Sequence, residues 1–232
     1  VRACLNIFTV PKKNHLLRLV QDCRKLNAIM ERPPRMPLPS IHEVVEYVLE
    51  NEYVWSSDGK SYFYSFGLHP EVGAYFSTRL GGARGDFIVA AMTRMAMGWS
   101  WAPYIAQTVS NEVIKGLGMA WMDDFILAGK TQQELRENAA AFIDRCRRAK
   151  ITLDDYQPVP HRKAELLGLW FDCENKRFRM CQAFVEGLPT VESVTSPRTL
   201  FELTGALTWA SYATRQRLCR RYKAINILRR AV

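Results

Sequence analysis

The 232-residue sequence lacks the patterns that mark metal-thiolate, secreted or membrane-spanning proteins. Its six cysteines show no CxxC or similar ligand spacing, and its four histidines form no HExxH-type group. No apolar run is long enough to span a bilayer, and no signal peptide is visible. These absences predict an intracellular, reduced protein, cytoplasmic or nuclear, without a membrane partner.

Acidic residues are missing from the end of the chain. No aspartate or glutamate follows Glu202, although the chain as a whole has a net charge of +9 and a pI near 9.4. The basic residues of that segment are Arg215, Arg217, Arg220, Arg221, Lys223, Arg229 and Arg230. Such a surplus is typical of nucleic-acid-binding surfaces, but a solvated basic face has the same pattern.

Strand-like and helix-like segments follow one another without regular alternation, which predicts an α+β fold. Two strands flank a polar turn at "KKNH". The Ser-x-x-Glu capping box at Ser40 predicts a helix over about 41–51, and "YVWSSD" is a strand after it. "VGAYFSTRL" and "DFIVAAM" are predicted to pair as strands.

The second half of the chain continues in the same mixed manner. A helix is predicted from Pro103, and a capping box at Thr131 predicts another that runs to about Lys150. "ITLDD", "AELLGLWFD" and "RFRMCQAF" are predicted strands. Ser196 begins a further predicted helix, over about 197–212.

Two adjacent carboxylates, Asp123 and Asp124, interrupt the apolar stretch "MAWMDDFILAG". Burying an unpaired carboxylate costs several kcal/mol, so these acids need either solvent or a partner. Apolar residues on both sides predict a tight β-hairpin whose tip carries the acids, where a divalent cation could bind. A second pair, Asp154 and Asp155, follows "ITL" beside a proline-rich loop and is interpreted as a solvated turn without function.

A third acid, Asp58, also ends an apolar strand. If that strand lies beside the hairpin, Asp58 and Asp123 could bridge two Mg²⁺ ions about 3.5–4 Å apart. Such a pair of ions serves in-line phosphoryl transfer, because one activates the attacking hydroxyl and the other neutralises the departing phosphate.

Further segments stand in the order of one known family. They are "LRLVQDCRKLN", "PLPSIHEVVEYV", "DGKSYFYSFGL", "MAMGWSWAPYIAQ", "WMDDF", "AELLGLWFD" and "TSPRTLFELTGALTWAS". In this order, over about residues 6–212, the sequence resembles the reverse transcriptases of retroelements. The last segment is similar to that of long-terminal-repeat and DIRS-like retrotransposons.

The resemblance implies a metal site, a nucleotide site and nucleic-acid contacts. Two Mg²⁺ ions, or Mn²⁺, would be bound by Asp58, Gly59, Asp123 and Asp124, with the three aspartates catalytic. The residues implied at the incoming nucleotide are Lys12, Lys13, Arg18, Phe63, Met97 and Gly98. Those implied at the template and primer are Arg24, Trp99, Pro103, Gln107, Leu167, Gly168, Arg217, Arg220 and Arg221.

Several positions keep an alternative interpretation or depart from the family. The pattern alone favours a core position for Phe63, although its spacing from Asp58 implies that it crowds the sugar 2′ position. Trp99 could pack in the core or stack on bases. Trp121 stands where the family usually has tyrosine, and the stretch from Gln107 to Trp121 is short for a helix plus a strand.

The family resemblance implies a right-hand polymerase fold, of α+β class with an antiparallel palm sheet. The fingers would comprise 1–57 with 73–110. The palm would comprise 58–72 and 111–180. The remaining residues, 181–232, would complete the primer grip and begin the thumb.

The implied activity is RNA-directed DNA polymerisation. A nucleotidyltransferase of this kind extends a DNA or RNA primer on an RNA template with dNTPs. Further polyprotein domains, such as RNase H, would lie in the full-length protein. The alternative is a domesticated, catalytically inactive domain that binds RNA or protein as a scaffold, and Phe63 disfavours an RNA-dependent RNA polymerase.

Overall fold

A computed structural model of the chain describes residues 4–11, 16–81, 86–154, 159–189 and 196–216. The chain forms two compact units, each built from separate stretches of sequence. The first unit takes in the described residues within Val1–Pro39, Ser56–Leu127 and Arg136–Pro158. The second takes in those within Ser40–Trp55, Ala128–Leu135 and Val159–Val232.

Helices and strands are mixed along the chain, as the sequence predicts for the α+β class. The elements in chain order are β1 (Ile7–Pro11), β2 (Leu17–Gln21), α1 (Arg24–Ile29), α2 (Ile41–Leu49), β3 (Tyr53–Asp58), α3 (Pro70–Gly73), β4 (Ser77–Gly81), β5 (Phe87–Ala91), α4 (Ala102–Ile114), β6 (Met119–Trp121), β7 (Asp124–Gly129), α5 (Gln132–Arg148), β8 (Lys163–Leu166), β9 (Leu169–Asp172), β10 (Arg177–Met180), α6 (Gln182–Glu186) and α7 (Pro197–Ala213).

The first unit contains the predicted hairpins. Strands β1 and β2 pair antiparallel, as do β4 and β5, and β6 pairs antiparallel with β7 at the acidic turn. Strand β7 lies between β3 and β6 in a three-stranded sheet, so the carboxyl end of β3 lies near the hairpin tip. The segment Tyr62–Ser65 after β3 forms a 3-10 turn.

The core behind this sheet is aromatic. Helix α5 presents apolar residues at intervals of three and four, and Ala139, Phe142 and Cys146 are buried along one face. The Phe142 ring lies 4.8 Å from that of Phe125 on β7, which lies 5.8 Å from that of Tyr62. Burying each such side chain stabilises the fold by about 1.5–3 kcal/mol, so the hairpin is anchored from behind.

In the second unit, helix α2 begins at the predicted capping box, in which Ser40 and Glu43 bond each other's backbone N–H. Strands β8, β9 and β10 form an antiparallel sheet with β9 in the centre. The prediction of one strand over "AELLGLWFD" is wrong, because Leu167 and Gly168 both adopt positive φ and form a hairpin turn between β8 and β9.

The stretch from Gln107 to Trp121 is long enough for both of its elements, because α4 ends at Ile114 and β6 starts at Met119. In the described part of the predicted strand "ITLDD", residues 151–154, Leu153 forms a bridge with Gly59 and no regular strand is present. Helix α7 closely matches its prediction. Within the described ranges, no helix combines the length and apolar character needed to cross a membrane.

Candidate active site

A cavity of about 640 Å³ in the first unit brings together six of the predicted site residues, namely Arg18, Asp58, Gly59, Phe63, Met97 and Asp123. Its acidic lining consists of Asp58, Asp123 and Asp154, and Arg18 supplies a positive charge. Aromatic and apolar side chains, among them Phe63, Tyr64 and Met97, complete the walls. A concave site with a few convergent charged groups has the character of a ligand-binding site.

Asp58 is the last residue of β3, and backbone hydrogen bonds on both sides fix its position. The N–H of Gly59 donates to the carbonyl of Asp123 at 2.8 Å, and the N–H of Asp154 donates to the carbonyl of Asp58 at 2.9 Å. A Cβ atom on Gly59 would lie 2.5 Å from the Tyr62 ring, so only glycine fits at this position. The structure thus places two acidic turns beside Asp58.

The tip of the β6–β7 hairpin contains a strained residue. Met122 adopts a φ of 54°, which is costly for a residue other than glycine and persists only where neighbours enforce it. The Gln107 side chain accepts a hydrogen bond from the Met122 N–H at 2.6 Å and donates to the Ala120 carbonyl at 2.8 Å. Ser110 donates to the Met122 carbonyl at 2.6 Å. These buried side chains of α4 therefore determine where Asp123 lies.

The carboxylates at the site repel one another. Burial, followed by the charges of Asp154 and Asp123, raises the pKa of Asp58 above its ordinary value. Desolvation by surrounding atoms, followed by the charges of Asp123 and Asp58, raises the pKa of Asp124 to about 6, although its side chain keeps contact with solvent. A bound cation would relieve this repulsion.

The donor chemistry suits a hard divalent cation, which prefers carboxylate and carbonyl oxygens. Asp58 and Asp123 supply carboxylates to the cavity, Asp124 lies close enough to interact with both, and Gly59 lines the same cavity. No group of three or more acidic, histidine or cysteine side chains in the described part of the chain is close enough to hold a metal ion by itself. The fit therefore rests on the paired carboxylates.

The residues expected at the incoming nucleotide are partly brought together. Arg18, Phe63 and Met97 line the cavity with Asp58 and Asp123. Phe63 is half-buried there, whereas its neighbour Tyr62 is the core residue. Position 98 favours glycine, because the φ of Gly98 is 100° and a Cβ atom there would lie 3.0 Å from the Gln21 carbonyl oxygen. Lys12 and Lys13 lie outside the described residues.

Two residues expected at the template and primer have side chains committed to the protein interior. Gln107 has no exposed surface, and its amide holds the hairpin, which favours a structural role for this side chain over a direct contact with nucleic acid. Trp99 is buried against Phe76 with ring centres 5.2 Å apart, which favours the packing alternative over stacking on bases. Sequence order alone could not distinguish these roles, because both residues stand in a motif that borders the site.

The other expected nucleic-acid contacts are dispersed. Arg24 is exposed and forms a two-pronged ion pair with Asp22, which also lowers the pKa of Asp22 to about 2. Pro103 lies in the first turn of α4, as predicted. Leu167 and Gly168 form the β8–β9 turn in the second unit. Arg217, Arg220 and Arg221 lie outside the described residues.

Asp154 lines the cavity, although the sequence pattern did not place it there. It was expected to be a solvated turn residue without function; its side chain is exposed, and it also lines the same cavity as Asp58 and Asp123, where its charge helps to raise the pKa of Asp58. Its carboxylate also lies 4.0 Å from the Lys60 ammonium group. Backbone pairing between Leu153 and Gly59, which are far apart in sequence, brings it there. Asp154 is therefore a solvated turn residue, as expected, that also borders the cavity.

Known proteins resemble the chain in both sequence and fold. The family model for reverse transcriptase (RNA-dependent DNA polymerase) matches residues 10–156. A foamy viral protease-reverse transcriptase solved with double-stranded DNA aligns at a TM-score of 0.73 and 16% identity, covering 89% of this chain and 42% of that chain. Its form denoted dRH, also with double-stranded DNA, aligns at 0.69 and 17%, covering 89% and 36%.

At 16% and 17% identity, the similarity to these solved structures shows only that the fold is shared. The chain spans less than half the length of these foamy viral proteins. No curated protein sequence matches it.

Proposed function

This chain belongs to the reverse transcriptase family, and we propose that it is an RNA-directed DNA polymerase, a nucleotidyltransferase that adds deoxynucleotides to a primer 3′-hydroxyl. One observation carries the proposal. Asp58 and Asp123 are distant in sequence, yet both line one cavity, and the Gly59 N–H joins their two turns by a hydrogen bond of 2.8 Å. Paired carboxylates at adjacent turns are what phosphoryl transfer on a nucleotide requires.

Asp58 and Asp123 would bind two Mg²⁺ ions, or Mn²⁺, with Asp124 and the Gly59 carbonyl contributing further oxygen ligands. When bound, the ions would activate the primer hydroxyl and neutralise charge on the departing pyrophosphate. The protein's own contribution is to hold the two carboxylates at a fixed separation before the substrates arrive. The hydrogen bond from Gly59 and the buried contacts of Met122 support that role.

The same cavity would receive the incoming nucleotide. Arg18 supplies a guanidinium group that can bond a triphosphate with two parallel hydrogen bonds. Phe63 would stand against the sugar 2′ position and favour deoxynucleotides, while Met97 would form part of the opposite wall. Lys12, Lys13 and Gly98 would assist around this pocket.

The template and primer would lie along a right-hand arrangement of fingers (1–57 with 73–110), palm (58–72 and 111–180) and thumb start (181–232). The exposed Arg24 and the half-buried Pro103 would face the template, the Leu167–Gly168 turn would support the primer, and the basic segment with Arg217, Arg220 and Arg221 would contact phosphates. The foamy viral structures were solved with double-stranded DNA, which supports a duplex partner.

The chain would belong to a retroelement of the long-terminal-repeat or DIRS-like type. The resemblance of the segment "TSPRTLFELTGALTWAS" to those elements supports this assignment. An RNase H domain would lie elsewhere in the full-length protein.

Primer extension on a defined RNA template with Mg²⁺ tests the proposal. We expect Asp123→Asn to abolish extension, because the variant loses a metal-binding charge, while duplex binding by fluorescence anisotropy changes by less than about twofold. Asp144→Asn is the matched control, since it removes an aspartate from an exposed ion pair with Arg148 on α5. Equal extension by Asp123→Asn and wild type would disprove the metal assignment.

A wild-type chain that binds duplex and never extends a primer would favour the inactive scaffold instead. Phe63→Ala separately tests the sugar selectivity. We expect this variant to incorporate ribonucleotides, because the aromatic ring no longer fills the space beside the 2′ position. An unchanged ratio of deoxynucleotide to ribonucleotide incorporation would reject this role for Phe63.

A further inference from the structure

A buried chain of hydroxyl groups runs behind the acidic hairpin. The Tyr62 hydroxyl lies 2.7 Å from the Ser110 hydroxyl, which lies 2.6 Å from the carbonyl of Met122. Tyr62 and Ser110 are 2% and 0% exposed. These groups are therefore shielded from water and depend on one another for hydrogen bonding.

Which group donates each of these hydrogen bonds follows from counting the available protons. A carbonyl oxygen only accepts, so the single hydroxyl proton of Ser110 is donated to Met122. Ser110 then accepts from Tyr62, which must be the donor. Burial raises the pKa of Tyr62 to about 12, so its hydroxyl keeps the proton that it donates. Consecutive hydrogen bonds of this kind polarise and strengthen one another.

This chain of hydroxyl groups closes into a ring through the turn that follows Asp58. The Tyr62 ring packs directly against Gly59, where a Cβ atom would lie only 2.5 Å away. Gly59 in turn donates its N–H to the carbonyl of Asp123, the residue after Met122. One closed path of contacts therefore passes through the turn of Asp58 and the turn of Asp123.

We propose that Tyr62 and Ser110 are positioning residues that set the separation of Asp58 and Asp123. The inference rests on the proposed polymerase function of those two carboxylates. Neither Tyr62 nor Ser110 touches the reacting groups through this path. They act by fixing Met122 in its positive-φ conformation on one side and Gly59 on the other.

Removing single hydroxyl groups tests this role. The variants are Tyr62→Phe, Ser110→Ala and the double variant. Tyr47→Phe is the control for the tyrosine, because it deletes a hydroxyl that accepts from the Ala128 N–H at 2.9 Å in the second unit. Ser77→Ala is the control for the serine, because Ser77 is equally buried and donates to the Ala74 carbonyl at 3.0 Å.

Two measurements separate positioning from general stability. Calorimetry measures Mn²⁺ binding to the protein without nucleic acid. The affinity should weaken about tenfold in Tyr62→Phe and Ser110→Ala, as is typical for groups that orient metal ligands. With primer and template, kcat should fall about tenfold while the KM for dNTP stays constant, because misplaced catalytic groups slow the chemical step. The double variant should lose no more Mn²⁺ affinity and no more kcat than the more impaired single variant, because both hydroxyls belong to one path of contacts.

The control variants should lose stability while their Mn²⁺ affinity and kcat stay unchanged. If Tyr62→Phe and Ser110→Ala match Tyr47→Phe and Ser77→Ala in Mn²⁺ affinity and in kcat, the inference is overturned and the polymerase proposal stands. If wild type neither binds Mn²⁺ nor extends primers, the polymerase proposal fails, and the positioning role fails with it. The two failures are distinguished by the wild-type measurements alone.

Discussion

Two acidic turns of the first unit lie beside Asp58, and they are supported in different ways. At the β6–β7 hairpin, buried side chains of α4 bond both backbone polar atoms of Met122. At the other turn, the backbone N–H of Asp154 donates to Asp58, and the Asp154 carboxylate lies 4.0 Å from the exposed Lys60 ammonium group. One turn is fixed by the protein interior and the other by backbone pairing and a surface charge.

In sequence the two turns look alike, because each contains an Asp-Asp pair. The energetic difference lies in what surrounds them. Moving a buried hydrogen-bonded side chain leaves unpaired polar groups at a cost of about 1–3 kcal/mol each, whereas an exposed ion pair contributes about 0–1 kcal/mol. We therefore expect the position of Asp123 to be fixed and that of Asp154 to be adjustable.

Removing the support behind the hairpin should have the largest effect. Gln107→Ala deletes a fully buried amide and leaves the Met122 N–H and the Ala120 carbonyl without their partner. The free energy of unfolding should fall by about 2–4 kcal/mol, from the cavity and the unpaired groups together. The kcat for primer extension should fall by more than about tenfold. Denaturant unfolding and steady-state kinetics measure the two effects.

Gln21→Ala provides the matched comparison within the same unit. Gln21 is also buried, and its amide donates to the Phe76 carbonyl at 2.8 Å, away from the hairpin. Its loss should lower stability without a comparable fall in kcat. If both variants lose kcat equally at a similar stability, the hairpin has no special support.

The turn at Asp154 should respond more weakly. Burial and then the Asp154 charge hold the pKa of Asp58 above its ordinary value, so Asp154→Asn should lower that pKa in the metal-free protein. Carbon-13 NMR titration of the carboxyl groups measures the shift. Primer extension should fall by less than about tenfold, because the Asp154 side chain is 46% exposed and its charge is screened.

Asp144→Asn is again a suitable control, since Asp144 is 51% exposed and paired with Arg148. It should leave the Asp58 titration unchanged. Loss of extension by Asp154→Asn to the level of Asp123→Asn would show that both turns are equally fixed. The difference between the two supports would then have no functional meaning.

The sequence predicts the hairpin itself and little of what surrounds it. Local signals sufficed for the β6–β7 hairpin and for the start of α2 at Ser40, because apolar alternation and a capping box act over a few residues. The place of Asp154 depends on a bridge between Leu153 and Gly59, which no local pattern contains. The packing role of Gln107 likewise depends on burial between elements.

The pH dependence of stability should distinguish Asp124 from an ordinary exposed acid. Its pKa rises from an ordinary value of 3.8 to about 6 in the fold, so the folded protein binds the extra proton and gains stability as pH falls from about 6 to 4. Above pH 6 the charged group disfavours folding. Asp124→Asn should therefore raise the Tm of the metal-free protein at pH 7 and change it little at pH 4.

Thermal unfolding in a chelator at both pH values measures this. A Tm difference that is the same at pH 4 and pH 7 would show that Asp124 is not crowded by its neighbours. The carboxylates at the hairpin would then repel one another less than the distances between them imply.

The smallest effect should come from Lys60, the cation at the Asp154 turn. The Lys60 ammonium group is exposed and lies 4.0 Å from the Asp154 carboxylate, at the outer limit of an ion pair. Lys60→Gln should change the free energy of unfolding by about 0.5 kcal/mol or less, and raising the salt concentration should remove even that difference. Urea unfolding at low and high salt measures it. A loss of more than about 1 kcal/mol that persists in high salt would contradict the weak support inferred for this turn, because only a desolvated pair behaves in that way.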